Sequence, residues 1–381
     1  MSKVTIYMSS YNHANYLVTA IQSILNQTFT DFELFVLDDA STDNSWSIIQ
    51  SFTDPRIRSF RNPVNRNDKD WMRKVVFEMA TGEYIAIHHS DNVWEPEKLQ
   101  KQVDFLEWHA DTGAVFTNAR IIDENGEPSK NKGHFYYTVF DQPNRDRFEW
   151  LNTFFYHGNV LCHPSILIRK KCYGECGFYR NGFAQIPDLD MWVRLCLKYE
   201  IHVLPEKLVH FRIPSNDQFI SGNRPESRIR YHFEFLQVLE NYLKIPSFQE
   251  LTKVFPSAKR YYRKEGIDIG YVLARVAVET AGQMTARLFG LNVLFNALNE
   301  PARTERIKEL YDFSHKDFIA LTAKNDVFSM ELGREFGNIR TSPAWRVARV
   351  LHRITIFFFP SGSVRMKVVK KIFAFARRRT H

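Results

Sequence analysis

The sequence predicts an α/β fold with a helical extension, and three features of the chain lead to this prediction. Short apolar runs alternate with segments of helical periodicity over about the first 225 residues, a pattern typical of a sheet flanked by helices. Acidic and polar residues directly follow several of these runs, as at the ligand-binding ends of parallel strands. Beyond Pro225 long helical patterns take over. We therefore expect an α/β domain over 1–225, a helical extension over 226–339 and a basic amphipathic tail over 340–381.

The first part of the chain has the pattern of repeated strand, loop and helix units. The apolar run at its start ends in a polar loop, and apolar residues then recur at helical spacing from Leu17 to Leu25. A second strand ends in two aspartates, and the sequence Ser41-Thr42-Asp43 after it is suited to capping a helix. The predicted elements are strands at 4–10, 32–37, 57–60 and 84–87, and helices at 17–25, 46–49 and 71–80.

Similar patterns predict the second half of the α/β region. We expect a helix over 96–108, a strand over 114–122 and a turn over 123–126. The segment 161–168 has the composition of a strand, and Pro187 stands at an early position of a helix, where proline is favoured. A strand over 202–213 completes the predicted sheet.

Polar residues follow three of the predicted strands, at Ser9–Asn12, at Asp38-Asp39 and at Ser90-Asp91. Because parallel α/β sheets bind ligands at the carboxyl ends of their strands, these clusters outline a nucleotide site. No Gly-x-Gly-x-x-Gly follows the first strand, which disfavours a dinucleotide-binding dehydrogenase, and the chain has no Walker loop. The nucleotide would therefore be bound by another kind of enzyme.

The positive charge of the chain is concentrated at its end. The net charge is +8, yet the residues from Arg340 onward carry eleven basic side chains and no acidic one, which leaves −3 for the preceding 339 residues. The body of the protein is therefore not expected to bind nucleic acid. Four cysteines and no apparent signal peptide lead us to expect a cytoplasmic protein.

Five short segments occur in an order and spacing that resemble a known family. They are Met8–Asn12, Ser23–Thr28, Leu37–Asp43, Ala80–Ile85 and Pro187–Arg194. Over residues 1 to about 222 the chain resembles the family 2 glycosyltransferases of the GT-A fold, and bacterial polysaccharide and spore-coat glycosyltransferases in particular. The resemblance implies a Rossmann-like mixed sheet flanked by helices.

The same resemblance implies an activity. The protein would be an inverting glycosyltransferase that moves a sugar from a nucleotide-diphosphate donor to a hydroxyl of a glycan or lipid-linked acceptor, in surface polysaccharide biosynthesis. A different class remains open, namely a non-catalytic nucleotide-sugar-binding or scaffold protein with a degenerate metal site. Nucleotide-sugar hydrolysis would distinguish the two.

The resemblance also assigns a donor nucleotide site. Asp39 matches the family residue that hydrogen-bonds the base, and Tyr11 matches one that lies against it. An aromatic ring and a carboxylate acceptor suit uracil or another base with an N–H edge, and a UDP-sugar is the favoured donor. The residues assigned to the donor nucleotide are Ser9, Tyr11, Asn12, Asp39 and Arg73.

Simpler roles are open for several polar residues near this site. Turn or helix-capping roles are the alternative for Asp38 and Asp43, and for Asp43 the capping role is favoured. Arg66 and Arg73 lie where the family often presents a cation to the phosphates, but exposed arginines without such a role are the alternative.

Asp91 is the predicted ligand of a divalent metal, Mn²⁺ or Mg²⁺. The family carries Asp-x-Asp or Asp-Asp where this chain has Ser90-Asp91 followed by Asn92, so one carboxylate is missing. Such a metal would be held largely by the donor phosphates and by water. The alternative for Asp91 is an N-cap of the next helix. Relatives often place a metal-binding histidine near the end of the last strand, where this chain reads Phe211-Arg212-Ile213-Pro214-Ser215-Asn216. His210 is nearby but in strand phase with buried positions, and the third ligand is left open.

Asp188 matches the catalytic carboxylate of the family. An inverting displacement needs a base that takes the proton of the acceptor hydroxyl, and Asp188 stands at a predicted helix start. Asp190 is the alternative base, because two residues of a helix diverge by about 200° and only one of them faces a given side. Trp192 is expected to pack in the core, with sugar binding as the alternative, and His163 either contacts acceptor or diphosphate or is structural.

The basic tail suggests a membrane surface. Arg346, Arg349 and Arg353 interleave with apolar and aromatic residues, a composition that suits the interface of an anionic bilayer. We therefore hypothesise peripheral attachment at the inner face of the plasma membrane. The alternative is a helical extension whose apolar stripe packs on the domain.

Overall fold

An eight-stranded mixed sheet forms the centre of the structure, a computed structural model that describes residues 2–66, 70–214, 224–280 and 284–329. The strands lie side by side in the order β3-β2-β1-β4-β7-β6-β8-β5. In chain order they are β1 (Val4–Ser10), β2 (Phe32–Asp38), β3 (Ile57–Arg61), β4 (Tyr84–His89), β5 (Val93–Trp94), β6 (Thr112–Ile122), β7 (Leu167–Arg169) and β8 (Glu200–Arg212).

Helices connect the strands and then continue alone beyond the sheet. Those of the sheet region are α1 (Ala14–Leu25), α2 (Ser45–Ser51), α3 (Asp70–Lys74), α4 (Lys98–Trp108), α5 (Tyr136–Val139), α6 (Arg147–His157), α7 (Lys170–Glu175) and α8 (Pro187–Cys196). The extension holds α9 (Pro225–Leu239), α10 (Phe248–Val254), α11 (Ile269–Thr280), α12 (Met284–Leu298), α13 (Pro301–Tyr311) and α14 (His315–Lys324). The predicted change from alternating to helical structure near Pro225 is confirmed.

Strands β3, β2, β1 and β4 are mutually parallel, so their carboxyl ends meet at one edge of the sheet. The register pairs Ser10 of β1 with Asp38 of β2, and Ser9 of β1 with His89 of β4. The sheet becomes mixed where β7 pairs antiparallel with both β4 and β6. The predicted polar clusters after the first, second and fourth strands therefore lie side by side.

The central strands are buried on both faces, which explains why they are continuous apolar runs. Every residue of β2 is buried, and only Ser9 is exposed in β1. Helix α1 covers the sheet with Leu17, Ala20, Ile21 and Ile24, the helical repeat seen in the sequence. Gly82, in the turn before β4, passes so close to β1 that an added Cβ would lie 2.5 Å from the backbone nitrogen of Thr5.

Three local predictions are corrected by the structure. The predicted strand over 161–168 is reduced to β7, because Pro164 cannot donate to a sheet and lies in a 3-10 turn over His163–Ser165. The predicted helix at 71–80 continues from α3 as a π-helical turn over Val75–Met79. Asp91 does not cap a helix, since the short strand β5 follows it and Glu97 is the N-cap residue of α4.

The helical extension packs directly on the sheet region. The ring of Phe155 on α6 contacts Tyr242 and Phe255, with ring centroids 5.2 and 4.8 Å apart. The buried hydroxyl of Tyr242 donates to the carbonyl of Leu151 at 2.7 Å. The described residues up to Phe318 belong to one compact unit. The domain boundaries at 225 and 339 stay predictions.

The basic tail over 340–381 lies outside the described residues. Within the parts of the chain that the structure describes, no helix combines the length and the apolar character that crossing a bilayer requires. The membrane hypothesis thus still depends on the composition of the tail.

Candidate functional site

The loops after β1 and β2 are joined by the side chain of Asn12. Its Oδ1 accepts hydrogen bonds from the backbone nitrogen of Thr42 at 2.8 Å and from the Thr42 hydroxyl at 3.2 Å. The backbone nitrogen of Asn12 donates to Ser41 Oγ. Asn12 adopts a φ of 54°, a conformation that asparagine tolerates better than most residues. Asn12 therefore shapes the predicted nucleotide site whether or not it contacts a ligand.

Asp39 is held at the same edge of the sheet. Its nitrogen donates to the carbonyl of Ser10, and its Oδ1 accepts from Asn62 Nδ2 at 2.7 Å and from the backbone nitrogen of Arg66 at 3.2 Å. These bonds fix the orientation of a half-buried carboxylate. The predicted stacking residue Tyr11 is 44% exposed, and the side chain of Ser9 is also accessible.

Asp38 and Asp43 have structural roles, as the simpler interpretation predicts. Asp38 is fully buried, accepts from the backbone nitrogen of Ser41 and pairs with Arg61 at 3.1 Å. The carboxylate of Asp43 accepts from the first backbone nitrogens of two helices, Ala14 of α1 and Ser45 of α2. Both aspartates thus hold the loops around the site.

Arg212 fixes the backbone of the loop that carries Asp91. Its Nε donates to the Asp91 carbonyl at 2.7 Å, and Nη1 donates to the carbonyl of Asp123 at 2.8 Å. Its backbone nitrogen also donates to Asn92 Oδ1 at 2.9 Å. From the other side, His13 Nδ1 shares a hydrogen bond of 2.7 Å with Ser90 Oγ. Both sides of the loop are therefore anchored, and the Asp91 carboxylate is half-buried.

The side chains present would give a metal only sparse protein ligands. Among the described residues, no three His, Cys, Asp or Glu side chains converge as a metal site. No described residue donates a hydrogen bond to the carboxylate of Asp91, whose carbonyl oxygen is the atom bound by Arg212. His210, the histidine nearest the end of β8, is hydrogen-bonded through Nε2 to Glu95 Oε1 at 2.7 Å. A metal at Asp91 would therefore fit only as an ion coordinated mainly by donor phosphates and water.

Asp188 lies at the start of α8, directly after Pro187. Its Oδ1 accepts from the backbone nitrogen of Leu189 at 2.9 Å, and its Oδ2 accepts from Asn159 Nδ2 at 2.6 Å. Burial raises the pKa of Asp188 to about 6, against the lowering effect of these hydrogen bonds. A carboxylate with this pKa is largely ionised at neutral pH and still basic enough to accept a proton.

A row of rings joins the Asp91 side of the site to the Asp188 side. The imidazoles of His89 and His163 meet edge to face with centroids 5.2 Å apart, and His163 Nε2 is hydrogen-bonded to the Tyr179 hydroxyl at 3.0 Å. His163 also packs on Trp192 of α8. Burial lowers the pKa of His89, which makes it a neutral imidazole at neutral pH. The end of β4 and the helix of Asp188 are thus in one contact network.

Asp190 and Trp192, two of the candidates on α8, are fully buried. Asp190 Oδ2 accepts from Arg180 Nε at 3.0 Å and from Arg194 Nη2 at 3.0 Å, and its Oδ1 accepts from Asn241. Trp192 packs edge to face on Phe116. Because neither side chain reaches solvent, direct acceptor contact does not fit either residue, and both support the site from behind.

Arg73 lies on α3, with its guanidinium over the ring of Phe178 at 5.1 Å. Phe178 belongs to the segment that leads to α8, so Arg73 is placed on that side of the site. The side chain is exposed. Its assignment to the donor phosphates stays a prediction.

Four residues at the site were not identified from the sequence. His89 occupies the first position of the His-Ser-Asp triplet that stands where the family has Asp-x-Asp, a signal that the sequence did contain. Arg212 differs from the pattern of the family only in that no histidine follows the last strand. Asn159 and Glu234, which accepts from the backbone nitrogens at 184–186, carry no local motif.

Comparisons with known proteins agree on one family. Residues 5–173 match the family described as glycosyl transferase family 2. An uncharacterized glycosyltransferase of Nostoc sp. is 36% identical over 232 residues, which cover 58% of this chain and 67% of that protein. The Escherichia coli UDP-Glc:alpha-D-GlcNAc-diphosphoundecaprenol beta-1,3-glucosyltransferase WfaP is 33% identical over 107 residues, or 28% of this chain and 42% of that enzyme.

Solved structures agree on the fold. The crystal structure of S. aureus TarS in complex with UDP-GlcNAc is similar with a TM-score of 0.55 at 15% identity, covering 87% of this chain and 92% of that one. The fold is thus the GT-A fold that the sequence predicted, a mixed sheet with flanking helices. With the match over 5–173 and the Nostoc relative, these findings show that the chain belongs to the family 2 glycosyltransferases.

Proposed function

We propose that the protein is an inverting glycosyltransferase that uses a nucleotide-diphosphate sugar and Asp188 as its base. The observation that carries the proposal is the environment of Asp188, a half-buried carboxylate with two hydrogen-bond donors and a pKa raised to about 6 by burial. Its helix α8 is joined to the Asp91 side of the site through Trp192, which packs on His163, and through the contact of His163 with His89. A single displacement requires base and leaving group on opposite sides of the sugar, and we propose that Asp188 and the diphosphate at Asp91 flank it in this way.

In this reaction Asp188 accepts the proton of the acceptor hydroxyl as the oxygen attacks the anomeric carbon. Asn159 and the backbone nitrogen of Leu189 hold the carboxylate, so its orientation is set before the acceptor binds. The bond to the nucleotide diphosphate breaks as the new glycosidic bond forms. The configuration at the anomeric carbon is inverted by this one displacement.

We propose that the nucleotide lies in the loops after β1 and β2, with the base at Tyr11 and Asp39. A UDP-sugar is the favoured donor, supported by the ring and carboxylate available there and by the UDP-GlcNAc in the similar TarS structure. Asp91 would hold a Mn²⁺ or Mg²⁺ together with the donor phosphates, and such a metal would stabilise the negative charge of the leaving diphosphate.

The acceptor is proposed to be a glycan or a lipid-linked sugar of a surface polysaccharide. The support comes from WfaP, whose name gives a diphosphoundecaprenol-linked acceptor. The alternative function, binding of nucleotide sugars without catalysis, is favoured only by the lone carboxylate at Asp91.

Donor binding tests the nucleotide site. We expect Asp39→Ala to weaken the Kd for UDP-glucose about 10-fold or more, because a hydrogen bond to a charged group contributes roughly 1.5–3 kcal/mol. Asp91→Ala is expected to abolish the gain in affinity that Mn²⁺ gives the wild type. Calorimetric titrations with and without Mn²⁺, repeated with GDP- and dTDP-sugars, measure both effects.

Asp54→Ala is the matched control for these two variants. Asp54 precedes β3, so it lies at the amino ends of the parallel strands, whereas the site lies at their carboxyl ends. It pairs with Arg56. It should bind the donor like the wild type. If the wild type and Asp39→Ala bound every nucleotide sugar with equal affinity, the donor would not bind at these loops. Donor binding by the wild type without any turnover would favour the non-catalytic alternative.

The membrane hypothesis is tested with the full chain. Each basic residue near an anionic bilayer contributes about 1 kcal/mol, so replacing Arg346, Arg349 and Arg353 by serine should weaken binding to phosphatidylglycerol vesicles about 100-fold. Neutral phosphatidylcholine vesicles are the control, and flotation is the measurement. If the triple variant and the wild type float equally well, the tail has no such role.

A further inference from the structure

Glu234 is a buried carboxylate in the helical extension that contacts the segment leading to the proposed base. It lies on α9, is 2% exposed, and accepts hydrogen bonds from three successive backbone nitrogens. Its Oε1 accepts from Ala184 at 2.8 Å and from Gln185 at 3.0 Å, and its Oε2 accepts from Gln185 and Ile186 at 2.8 Å each. Residue 186 is the N-cap of α8, and Asp188 follows two residues later.

Glu234 holds the segment that leads into α8, a helix whose own N-cap residue makes no side-chain cap. Ile186 cannot accept a hydrogen bond through its side chain, and Pro187 removes one donor. The carboxylate of Glu234 binds the three amides that directly precede the helix, the last of them that of the N-cap residue Ile186, and its negative charge lies at the positive end of the helix dipole. No described Lys or Arg forms an ion pair with Glu234, so the backbone amides are the groups that stabilise its charge.

The same helix also supports the second partner of Asp188. Tyr231, three residues before Glu234, packs against Gly158, where an added Cβ would collide with the tyrosine hydroxyl. Gly158 has a φ of 72°, and the next residue is Asn159, which donates to Asp188. Both segments that orient the carboxylate of Asp188 therefore rest on one face of α9.

We propose that Glu234 is a positioning residue for Asp188, through which the helical extension holds the base in its catalytic orientation. This inference rests on the proposed function of Asp188. It gives the extension a part in the chemistry beyond covering the sheet, because the three amides bound to Glu234 set where α8 begins. Asn241, two residues beyond the end of α9, adds a third link through its hydrogen bond to Asp190.

The charge of Glu234 acts on the pKa of Asp188, an effect that a residue with only a structural role elsewhere in the fold would not have. The negative charge of Glu234 contributes to the raised pKa of Asp188, after the larger effect of burial. Among the described residues, Cys162 and Tyr179 also interact electrostatically with Asp188, and burial raises the pKa of both, so both are neutral near pH 7. Removing the charge of Glu234 should therefore lower the pKa of Asp188.

The test uses Glu234→Gln in the full chain, which keeps the shape and removes the charge. The glutamine has one acceptor oxygen and turns an NH₂ group towards backbone donors, so the bonds to 184–186 cannot all form. We expect faster amide hydrogen exchange at 184–186 and a kcat reduced about 10- to 100-fold, the cost of a base displaced by about 1 Å. The KM for the donor should stay within about twofold, and the acidic limb of the kcat profile should move to lower pH.

Asp268→Asn is the control within the same extension. Asp268 accepts from the Tyr271 nitrogen at the start of α11 and pairs with Arg303, so its loss destabilises the helices without touching 184–188. Its kcat and pH profile should match the wild type even if its Tm falls. Unchanged exchange at 184–186 in Glu234→Gln would overturn the inference, and so would faster exchange with unchanged kcat and pH profile. A wild-type enzyme without turnover would instead refute the proposed function, which is measured first.

Discussion

Replacing Asp188 by asparagine is expected to lower kcat about 1000-fold, with the affinity for the donor within about twofold of the wild type. General-base catalysis contributes roughly 10²–10⁴ in rate, and an amide cannot accept the proton of the acceptor hydroxyl. The side chain keeps its size, so α8 and the donor loops are preserved. Steady-state transfer to a sugar acceptor and calorimetric donor binding measure the two quantities.

The pH profile of the wild type belongs to the same prediction. Asp188 acts only when ionised, and burial raises its pKa to about 6. In the free enzyme, kcat/KM should therefore fall about tenfold per unit below pH 6 and level off above it. The residual activity of Asp188→Asn should lack this limb. A limb that persists unchanged in the variant would assign the titration to another group.

Stability separates loss of the base from loss of the fold. The pKa of Asp188 is higher in the folded protein than the ordinary value of 3.8, so the folded state binds more protons between about pH 4 and 6 and loses stability as pH rises through this window. Asparagine cannot ionise, so the variant avoids this loss of folding free energy, which is up to ~3 kcal/mol at pH 7. It also loses the hydrogen bond from Asn159 Nδ2, which then faces a second NH₂ group, and this offsets part of the gain. The Tm of Asp188→Asn should thus not fall below that of the wild type at pH 7. Wild-type kcat in this variant would exclude Asp188 from the chemistry.

The polar clusters at the strand ends could be predicted because they depend on local pattern and one topological rule. Parallel strands bring their carboxyl ends to one edge, so Ser9, Asp38 and Asp91 could be grouped before any contact was known. The same reasoning failed at 161–168, where a strand-like composition is interrupted by Pro164. There the missing amide of proline outweighs the preference of its neighbours.

The support of the site could not be predicted, because it comes from residues far away in the chain. Asn159 reaches Asp188 across 29 residues, and Glu234 reaches Gln185 across 49. In the sequence, Glu234 is one more polar residue of a helix, and nothing marks it as buried. Arg212 is similar, since its guanidinium binds carbonyl oxygens at 91, 123 and 124, and backbone acceptors leave no trace in a sequence.

Asp190→Ala is expected to destabilise the protein by about 3–5 kcal/mol, the largest stability effect we expect from one substitution. Its fully buried carboxylate accepts from Arg180 and Arg194, and the alanine leaves Arg194, only 9% exposed, without its charge partner. Asn241 also loses an acceptor. Urea denaturation monitored by circular dichroism measures the loss.

A matched exposed pair shows what burial adds to Asp190. Asp141 pairs with Lys207, and both side chains are about 40% exposed, so Asp141→Ala should cost less than about 1 kcal/mol. Asp190→Asn decides between the two carboxylates of α8, because it removes the charge and keeps the volume. If Asp190 is structural, this variant loses stability and, where folded, keeps the acidic limb near pH 6. If instead Asp190→Asn kept full stability and lost all turnover, Asp190 and not Asp188 would be the base.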